Sequence, residues 1–451
     1  MTDTQRRAAL IMGYGRSGRA AAAFLKRRGA TVRVVDRADT PELRAALATD
    51  GIPGRLGQYA QEDLDGVDLV VVSPGVPWDE PLVESARERG LEITSEMDLF
   101  FRACPCPIAG ITGTNGKTTT TALTTDVFRR GGLRVMRGGN IGEPVLDRID
   151  QLGPGDWVVL ELSSFQLESI SRPRLRVGAV LNVTADHLDR HKSLDRYRQI
   201  KARAISFMEP EDHAVLNFDD ASCVAMASQT HGTVVPFAVR AAIDRGIGVV
   251  DGSICHLTGS GTEAVVAIRD VPLPGEHNLS NVMAAIGAGL AAGIDKDLIG
   301  EAVRQFKAVE HRLELVGTFN GVRWYNDSKA TNPDSTYKAL EAFSEPIVLI
   351  AGGRNKGIDI APLARAIARR VVGLVAMGET GDELEQLVRA EGLDNVSRAR
   401  DLGEATRRAA AMARPGSVVL LSPAFTSYDM FLDYEDRGRQ FKASVLAELG
   451  A

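Results

Sequence analysis

Short apolar runs alternate along the chain with longer stretches of helical spacing. Runs such as Ala8–Met12, Leu69–Val72 and Ile347–Ala351 are continuous, which is typical of strands buried on both faces of a parallel sheet. The stretches between the runs are long enough to hold crossover helices. The pattern therefore predicts an α/β protein with mainly parallel sheets.

The predicted strands form three blocks, and a chain of 451 residues is expected to hold about three domains. We place these domains at residues 1–95, 96–308 and 309–451. The predicted strands are Ala8–Met12, Thr31–Val35 and Leu69–Val72 in the first block; Pro107–Ile111, Trp157–Leu160, Val177–Val183 and runs around Val215 and Val234 in the second; and Val322–Tyr325, Ile347–Ala351, Val371–Val375 and Ser417–Leu421 in the third. Three helices are predicted: one after Gly18, one from Leu194 to Met208, and one that begins at Ser280.

Composition narrows the class of protein. Hydrophobic residues make up 44% of the chain and charged residues 25%, which excludes disordered and fibrous proteins. A net charge of −6 argues against a general nucleic-acid binder. Four cysteines without a CxxC pair are typical of a reducing compartment. The most apolar stretch in the later part of the chain, Val282–Ile294, is interrupted by three glycines and cannot cross a bilayer. We expect a cytoplasmic protein that binds neither nucleic acid nor membrane.

A glycine-rich turn, Gly13-Tyr14-Gly15-Arg16-Ser17-Gly18, follows the first strand and opens a helix. Glycines permit a tight turn, and the amides of a helix start attract a pyrophosphate. Asp36 ends the next strand, where a ribose-binding acid would stand. The turn predicts a nucleotide diphosphate site, with NAD as one candidate; a turn that only packs strand on helix is the structural alternative.

A second loop, Gly113–Thr119, lies between the strand Pro107–Ile111 and a threonine-rich helix. It fits a phosphate loop, in which amides surround the phosphates, Lys117 neutralises their charge and the Thr118 hydroxyl binds Mg²⁺. The loop departs from the usual pattern, because Ile111 stands five residues before Gly116 in place of a glycine. Its position between a strand and a helix still predicts nucleotide binding.

Two further residues follow strands of the second block. Glu161 ends the strand Trp157–Leu160, where an acid could complete a magnesium site, although an acid there could instead cap the next helix. His187 follows Val177–Val183 at the ligand-binding edge of a parallel sheet, although a lone histidine in such a loop is more often a hydrogen-bonding residue. We assign His191 to the surface.

Lys201 lies on the apolar stripe of its predicted helix, together with Leu194, Tyr197, Ala204 and Met208. A lysine that covers apolar surface while its ammonium reaches water is the ordinary explanation. A bare ammonium is a poor neighbour for Mg²⁺, which prefers oxygen ligands. If Lys201 is a ligand, its nitrogen must be converted into an anionic oxygen group such as a carbamate.

In this order and spacing, the motifs resemble those of the Mur ligases, a family of ATP-dependent amide-forming enzymes, and they span nearly the whole chain. The segments that carry the resemblance are Gly13–Gly18, Gly113–Thr119, Gly138–Gly142, Glu161–Gln166, Asn182–His187, Tyr197–Lys201, Gly275–Asn281, His311-Arg312, Asn326–Asn332 and Leu421–Ala424. The segments Gly138–Gly142 and Asp327–Asn332 are most similar to the D-glutamate-adding member.

The resemblance implies a Rossmann-like amino-terminal domain that binds UDP, a central P-loop ATPase-like domain and a Rossmann-like carboxy-terminal domain that binds the amino acid. It implies ligation of D-glutamate to UDP-N-acetylmuramoyl-L-alanine through an acyl phosphate, in peptidoglycan precursor synthesis, with ATP and two Mg²⁺ ions. We expect a monomer.

The resemblance also implies roles for individual residues. Those implied for ATP are Gly113, Thr114, Asn115, Gly116, Lys117, Thr118, Thr119, Asn278, Asn281, Arg312 and Asp327. Those implied for metal are Thr118, Glu161, His187 and carbamylated Lys201, and the catalytic set is Lys117, Glu161, His187 and Lys201. Those implied for the UDP substrate are Arg16, Ser17, Gly18, Asp36, Arg37, Ser73, Gly75, Asn140, Gln166 and His187. Those implied for D-glutamate are Lys329, Thr331, Lys356, Ser427 and Tyr434.

Two departures from the family pattern concern substrate contacts. Arg37-Ala38 follows Asp36 where the family usually has a hydroxyl residue and then arginine, and this change lies in the turn that would contact uridine. Tyr434 replaces a usual phenylalanine. The glycine-rich segment before Lys356 could, without the resemblance, be only a turn.

Two other functions remain open at this point. A nicotinamide-dependent dehydrogenase would use Gly13–Gly18 and Asp36 but leaves the Lys117 loop unexplained. A nucleotide-dependent switch would hydrolyse ATP with no dependence on donor or acceptor.

Overall fold

The computed structural model describes residues 7–140, 144–184, 186 and 188–450. The chain divides into two compact units. The first contains the residues through Ala267 together with Ser280–Val303, and the second contains Ile268–Leu279 together with the residues from Arg304 onward. Three sheets, one at the amino end, one central and one carboxy-terminal, give the molecule a three-domain α/β architecture.

The amino-terminal sheet has five parallel strands in the order β3-β2-β1-β4-β5. Its strands are β1 (Ala8–Met12), β2 (Thr31–Asp36), β3 (Gly54–Leu56), β4 (Leu69–Val72) and β5 (Glu92–Thr94). Its helices are α1 (Arg16–Arg27), α2 (Pro41–Asp50), α3 (Pro81–Glu88) and α4 (Glu96–Ala103). The order reverses direction next to β1, so a crevice is expected at the carboxyl end of that strand.

The central sheet has nine strands in the order β14-β13-β12-β11-β10-β9-β6-β8-β7. Its strands are β6 (Ile108–Thr112), β7 (Val135–Gly139), β8 (Trp157–Glu161), β9 (Val177–Val180), β10 (His213–Asn217), β11 (Thr233–Phe237), β12 (Arg245–Val250), β13 (Ser253–Thr258) and β14 (Thr262–Ala267). The strands from β7 to β12 pair in parallel, and β12, β13 and β14 form an antiparallel extension.

Seven helices accompany the central strands in sequence. They are α5 (Lys117–Arg130), α6 (Ser164–Ser169), α7 (Leu188–His191), α8 (Leu194–Ser206), α9 (Ala221–Met226), α10 (Glu276–Ala291) and α11 (Lys296–Gln305). Helix α5 packs on β7 and β8, and α8 packs on β9. These contacts place the first turn of α5 and one face of α8 beside the carboxyl end of β6.

The carboxy-terminal sheet has six strands in the order β15-β16-β20-β17-β18-β19, parallel except for the edge strand β15. Its strands are β15 (Glu314–Phe319), β16 (Val322–Asn326), β17 (Ile347–Gly352), β18 (Val371–Met377), β19 (Val396–Arg398) and β20 (Val418–Leu421). Its helices are α12 (Pro333–Glu341), α13 (Ala361–Arg370), α14 (Gly381–Ala390), α15 (Leu402–Met412) and α16 (Tyr434–Leu449).

The strand predictions are confirmed within a few residues, and two predicted helix starts are too late. Helix α1 begins at Arg16, before Gly18, and α10 begins at Glu276, four residues before Ser280. Among the described residues, no helix combines the length and apolar character needed to cross a membrane.

Candidate functional site

The loop between β6 and α5 has the backbone shape that the glycine positions predicted. Gly116 has a φ of +86°, and a Cβ there would lie 2.1 Å from Asn281 Oδ1 on α10. Gly113 also has a positive φ, of +156°. Both φ values favour glycine, and at Gly116 the loop packs so closely on α10 that there is no space for a side chain. The conformation of the loop therefore depends on these two glycines.

The Lys117 ammonium lies over this loop. Its Nζ donates to the carbonyl oxygens of Gly113 and Thr114, at 2.9 and 2.8 Å. Thr118 and Thr119 follow in the buried first turn of α5. The loop therefore offers a positive charge and the amino end of a 14-residue helix at one point, which suits a phosphate.

Residues just after β9 brace the loop and were absent from the predicted site. Asn182 accepts the Thr114 amide on its main-chain oxygen at 2.9 Å, and its side-chain Oδ1 accepts the Asn115 amide at 2.9 Å. The Thr184 amide donates to Thr114 Oγ1 at 3.1 Å. Asn182 and Thr184 lay within a motif that the sequence analysis identified, so their position after a strand was the available signal.

Glu161 lies at the same end of the sheet as the loop. It is the last residue of β8, and in the parallel pairing of β8 with β6 its partner is Ile111. Its side chain is buried, at 3% exposure, and Oε1 accepts a hydrogen bond from Asn140 Nδ2 at 3.2 Å. Oε2 is buried and has no hydrogen-bond partner among the residues that the structure describes. A buried carboxylate oxygen that accepts no hydrogen bond is a suitable ligand for a hard cation such as Mg²⁺.

Lys201 reaches the phosphate loop from α8. Its side chain is 1% exposed, and Nζ donates to Gly113 O at 2.9 Å and lies 4.6 Å from the centre of the Tyr197 ring. Burial, reinforced by the positive charge of Lys117, lowers the pKa of Lys201 well below its usual value. The surface-covering explanation for Lys201 is wrong, because its ammonium end is buried against the loop.

The predictions for His187 and His191 have different outcomes. His187 lies outside the described residues, so the prediction for it stands as made. The surface assignment of His191 is wrong, because its side chain is 3% exposed and its Nε2 is 2.9 Å from Ser164 Oγ.

The amino-terminal glycine turn is equally tight. A Cβ on Gly18 would lie 1.9 Å from Gly13 O, so helix α1 can approach the turn only with glycine at that position. Ser73 Oγ donates to Gly13 O at 2.7 Å. Arg16 and Ser17 begin α1, with Arg16 exposed, and Gly75 is exposed beyond β4.

Asp36 shapes the same turn. Its Oδ2 accepts the Tyr14 amide at 2.7 Å, and its Oδ1 accepts the Ala38 amide at 2.9 Å. The neighbouring Arg37 donates to Glu80 Oε1 at 2.7 Å. Asp36 thus holds the backbone next to the turn, and Arg37 is committed to an ion pair at its rim.

Gln166 makes a local structural contact. Its Oε1 accepts the Ser163 amide at 3.1 Å, and Ser163 Oγ accepts the Gln166 amide at 3.3 Å, which forms a capping box at the start of α6. The box fixes Gln166 in the first turn of α6, five residues after Glu161.

In the second unit, Asp327 is buried at the carboxyl end of β16. Its Oδ2 accepts the Ser422 hydroxyl at 2.8 Å, and Oδ1 accepts the Leu313 amide at 3.2 Å. Burial raises the pKa of Asp327 to about 7, although Ser422 and the charge of Arg312 act in the opposite direction. At the start of α10, Asn278 Nδ2 donates to Pro274 O at 2.7 Å.

Four of the residues predicted to bind D-glutamate lie in loops that follow strands of the carboxy-terminal sheet, and the fifth, Tyr434, begins α16. Lys329 Nζ is 5.3 Å from the centre of the Tyr434 ring, which begins α16, and the Thr331 amide donates to Lys329 O. Lys356 is exposed in the loop after β17, and Ser427 is buried after β20.

The glycine-rich loop before Lys356 is more than a simple turn. A Cβ on Gly352 would lie 1.9 Å from Met377 O, and a Cβ on Gly353 would lie 2.3 Å from Thr426 O. The loop after β17 is therefore packed against both neighbouring segments, and this fixes where Lys356 leaves the sheet.

Sequence reasoning missed one buried cation in this domain. Arg437 on α16 is 1% exposed, with Nε donating to Ser328 Oγ at 2.9 Å and a second nitrogen donating to Phe425 O at 3.2 Å. It joins the loop after β16 to the loop after β20. An arginine within a helix carries no pattern that would have identified it.

Comparison with known proteins gives matches along the chain. Three family models match: the Mur ligase MurD-like amino-terminal domain at residues 7–95, the Mur ligase middle domain at 111–289 and the Mur ligase glutamate ligase domain at 311–425. UDP-N-acetylmuramoylalanine--D-glutamate ligase from Pelotomaculum thermopropionicum is 42% identical over 450 residues, which cover 99% of each chain. The enzyme of the same name from Desulfitobacterium hafniense strain Y51 is 43% identical, over 97% of this chain and 96% of its own.

Solved structures show the same fold. The MurF ligase from Thermotoga maritima in complex with ADP has a TM-score of 0.62 over 99% of this chain and 100% of its own, at 15% identity.

Proposed function

This chain belongs to the Mur ligase family, and we propose that it joins D-glutamate to UDP-N-acetylmuramoyl-L-alanine through an ATP-derived acyl phosphate. The observation that carries the proposal is the full-length similarity to D-glutamate ligases in a chain with two separate nucleotide-type loops. A dehydrogenase would need only the loop at Gly13–Gly18.

The proposal assigns one ligand to each domain. Residues 1–95 bind the UDP end of the donor, residues 96–308 bind ATP, and residues 309–451 bind D-glutamate. The enzyme acts as a monomer in the cytoplasm, in peptidoglycan precursor synthesis.

The reaction brings polyanions together, so neutralising charge is its main requirement. The donor carboxylate attacks the γ-phosphorus of ATP, and the bond from that phosphorus to the β-γ bridging oxygen breaks to give an acyl phosphate and ADP. The amine of D-glutamate then attacks the acyl carbon, loses a proton and expels phosphate. Lys117 stabilises the charge on the transferring phosphoryl group, and its two hydrogen bonds to carbonyl oxygens of the phosphate loop support this role.

Four residues are proposed to hold two Mg²⁺ ions: Thr118, Glu161, His187 and Lys201. The buried Oε2 of Glu161 supports this assignment. Bound Mg²⁺ would supply electrostatic stabilisation of phosphate oxygens. Lys201 fits only as a carbamate, formed when its neutral amine attacks CO₂ and loses a proton, and its lowered pKa favours the neutral amine.

The remaining assignments concern nucleotide and substrate contacts. For ATP they are Asn278 and Asn281 toward adenine, Arg312 toward phosphate and Asp327 toward ribose, together with the loop residues Gly113, Thr114, Asn115, Gly116 and Thr119. For the donor they are Arg16, Ser17, Gly18, Asp36, Arg37, Ser73, Gly75, Asn140, Gln166 and His187. For D-glutamate they are Lys329, Thr331, Lys356, Ser427 and Tyr434.

The direct test is phosphate release by the purified chain with ATP, Mg²⁺ and UDP-N-acetylmuramoyl-L-alanine. We expect sustained release only when D-glutamate is added. Release that requires a diamino acid instead would assign the chain to another Mur ligase activity. Release without any acceptor would indicate a nucleotide switch and contradict the proposal.

A further inference from the structure

We propose that His191 is a positioning residue for the magnesium site, because it joins the segment that follows Glu161 to the helix that carries Lys201. This inference rests on the proposed function, in which Glu161 and Lys201 are both metal ligands. It assigns no contact between His191 and substrate or metal.

The first contact is with the segment after β8. His191 Nε2 lies 2.9 Å from Ser164 Oγ, and both side chains are buried. Ser164 is the first residue of α6 and stands three residues after Glu161. A buried hydrogen bond at this point restrains the backbone that leaves the strand at Glu161.

The second contact is through the face of the imidazole. The ring of His191 stacks on Phe165, with centres 5.3 Å apart and planes at 28°. It also lies 5.3 Å from the ring of Tyr197, at 35°. The imidazole therefore fills the space between α6 and α8 and contacts an aromatic side chain from each.

Tyr197 extends this contact to the phosphate loop and to Lys201. Its hydroxyl is 3.4 Å from Thr114 Oγ1, and its ring centre is 4.6 Å from Lys201 Nζ. The series Ser164, His191, Tyr197 and Lys201 is thus continuous. It runs from beside Glu161, one proposed magnesium ligand, to Lys201, another. Removing a side chain that orients a metal ligand typically lowers metal affinity by about 10-fold to 100-fold.

The chemistry of the position needs an imidazole. Phenylalanine would preserve the stacking but leave the Ser164 hydroxyl buried without this partner, whereas asparagine could bond the hydroxyl but not fill the space between two rings. The two functions of the side chain can therefore be separated by substitution.

The test compares His191→Phe, His191→Asn and Ser164→Ala with the unchanged chain. We would measure Mn²⁺ binding by electron paramagnetic resonance in the presence of a non-hydrolysable ATP analogue, and the Mg²⁺ concentration that half-activates phosphate release. We expect each substitution to weaken Mn²⁺ binding about tenfold, and the Ser164→Ala, His191→Phe double variant to be little worse than either single variant. His213→Phe, on β10, is the control histidine substitution and should leave Mn²⁺ binding unchanged.

The outcomes separate the two proposals. Unaltered Mn²⁺ affinity in folded His191→Phe and Ser164→Ala proteins would overturn the role of His191, even with full D-glutamate-dependent activity in the unchanged chain. Failure of the unchanged chain to use D-glutamate would instead contradict the proposed function. Ser164→Ala removes only a hydroxyl, so it provides the test if the His191 variants do not fold.

Discussion

At the scale of single residues, Lys201 combines features that a free surface lysine does not have. Its buried Nζ donates a hydrogen bond to Gly113 O in the phosphate loop and lies over the ring of Tyr197. The positive charge of Lys117 also acts on it. Removing a cation from water beside another cation is unfavourable, so the neutral amine is favoured there. A neutral amine at this position can attack CO₂ and lose a proton to form a carbamate, which would give the proposed Mg²⁺ site an anionic oxygen ligand.

The Lys201→Ala variant tests this interpretation. We expect turnover to fall about 100-fold or more, because the substitution removes a group proposed to act on the charged transition state. A short carboxylate such as acetate should restore part of the activity by occupying the space of the carbamate. Phosphate release measured with and without added carboxylate gives the result, and near-normal activity of Lys201→Ala would contradict a metal-ligand role.

Gly116→Ala tests the shape of the phosphate loop. The new Cβ would impose backbone strain of roughly 1–3 kcal/mol at a φ of +86° and would also lie 2.1 Å from Asn281 Oδ1. We expect a large loss of ATP affinity, measured by calorimetry. Gly132→Ala is the matched control, since its φ is +81° but no atom lies within 4 Å of the new Cβ. If both variants bind ATP equally well, the contact with α10 does not restrict the loop.

The site residues that could be predicted are those whose function is indicated by neighbouring residues in the sequence. Gly116 and Lys117 could be predicted because they lie between an apolar strand and the start of a helix, as in a phosphate loop. His191, in contrast, contacts Ser164, which is 27 residues away in the sequence. Arg437 donates a hydrogen bond to Ser328, which is 109 residues away. No local pattern encodes such contacts, because they arise only when the sheet brings distant loops together.

At the scale of elements, the parallel pairing of β6, β8 and β9 brings the site together. The loops that leave these strands carry Lys117, Glu161 and Asn182, and all three leave from the same edge of the sheet. Helix α9 adds a restraint, because its cap Asp220 accepts the Ser222 and Cys223 amides on Oδ1 and the Val183 amide on Oδ2.

Asp220→Ala should therefore have two effects. We expect about 1–2 kcal/mol of destabilisation from the lost cap, measured by thermal unfolding. We also expect weaker ATP binding, because the loop after β9 that braces Thr114 and Asn115 loses a contact. Asp401→Ala is a control cap substitution, since Asp401 accepts only the Glu404 amide at the start of α15, among the described contacts of its side chain. Equal ATP affinity in Asp220→Ala and the unchanged chain would show that α9 does not support the loop.

Four strands of the central sheet were not predicted, because none of them has a long continuous apolar run. Strand β7 contains Arg137 and two glycines, so its apolar run is short, and β12 contains Gly246 and Gly248. Strands β13 and β14 are only partly buried, which leaves a mixed pattern in place of a continuous apolar run. The fully buried strands β4, β9 and β17 were predicted because burial on both faces leaves a signal that polar side chains do not interrupt.

At the scale of the whole molecule, the proposed ATP contacts are divided between the two compact units. Lys117 and Asn281 belong to the first, whereas Arg312 and Asp327 belong to the second. The chain crosses between the units three times, after Ala267, Leu279 and Val303. In the segment that follows the last crossing, His311 and Leu313 have positive φ values of +64° and +44°. A ligand that uses residues of both units favours the arrangement in which they contact it together.

We therefore expect the chain to become more compact when an ATP analogue, Mg²⁺ and UDP-N-acetylmuramoyl-L-alanine are added, with residues 306–312 as the hinge. Small-angle X-ray scattering measures this as a decrease in the radius of gyration. Lys117→Ala supplies the control, because weaker binding of the nucleotide phosphates should reduce the decrease at the same ligand concentrations. An unchanged radius with saturating ligands would mean that binding does not require domain closure, and the proposed roles of Arg312 and Asp327 toward ATP would lose their support.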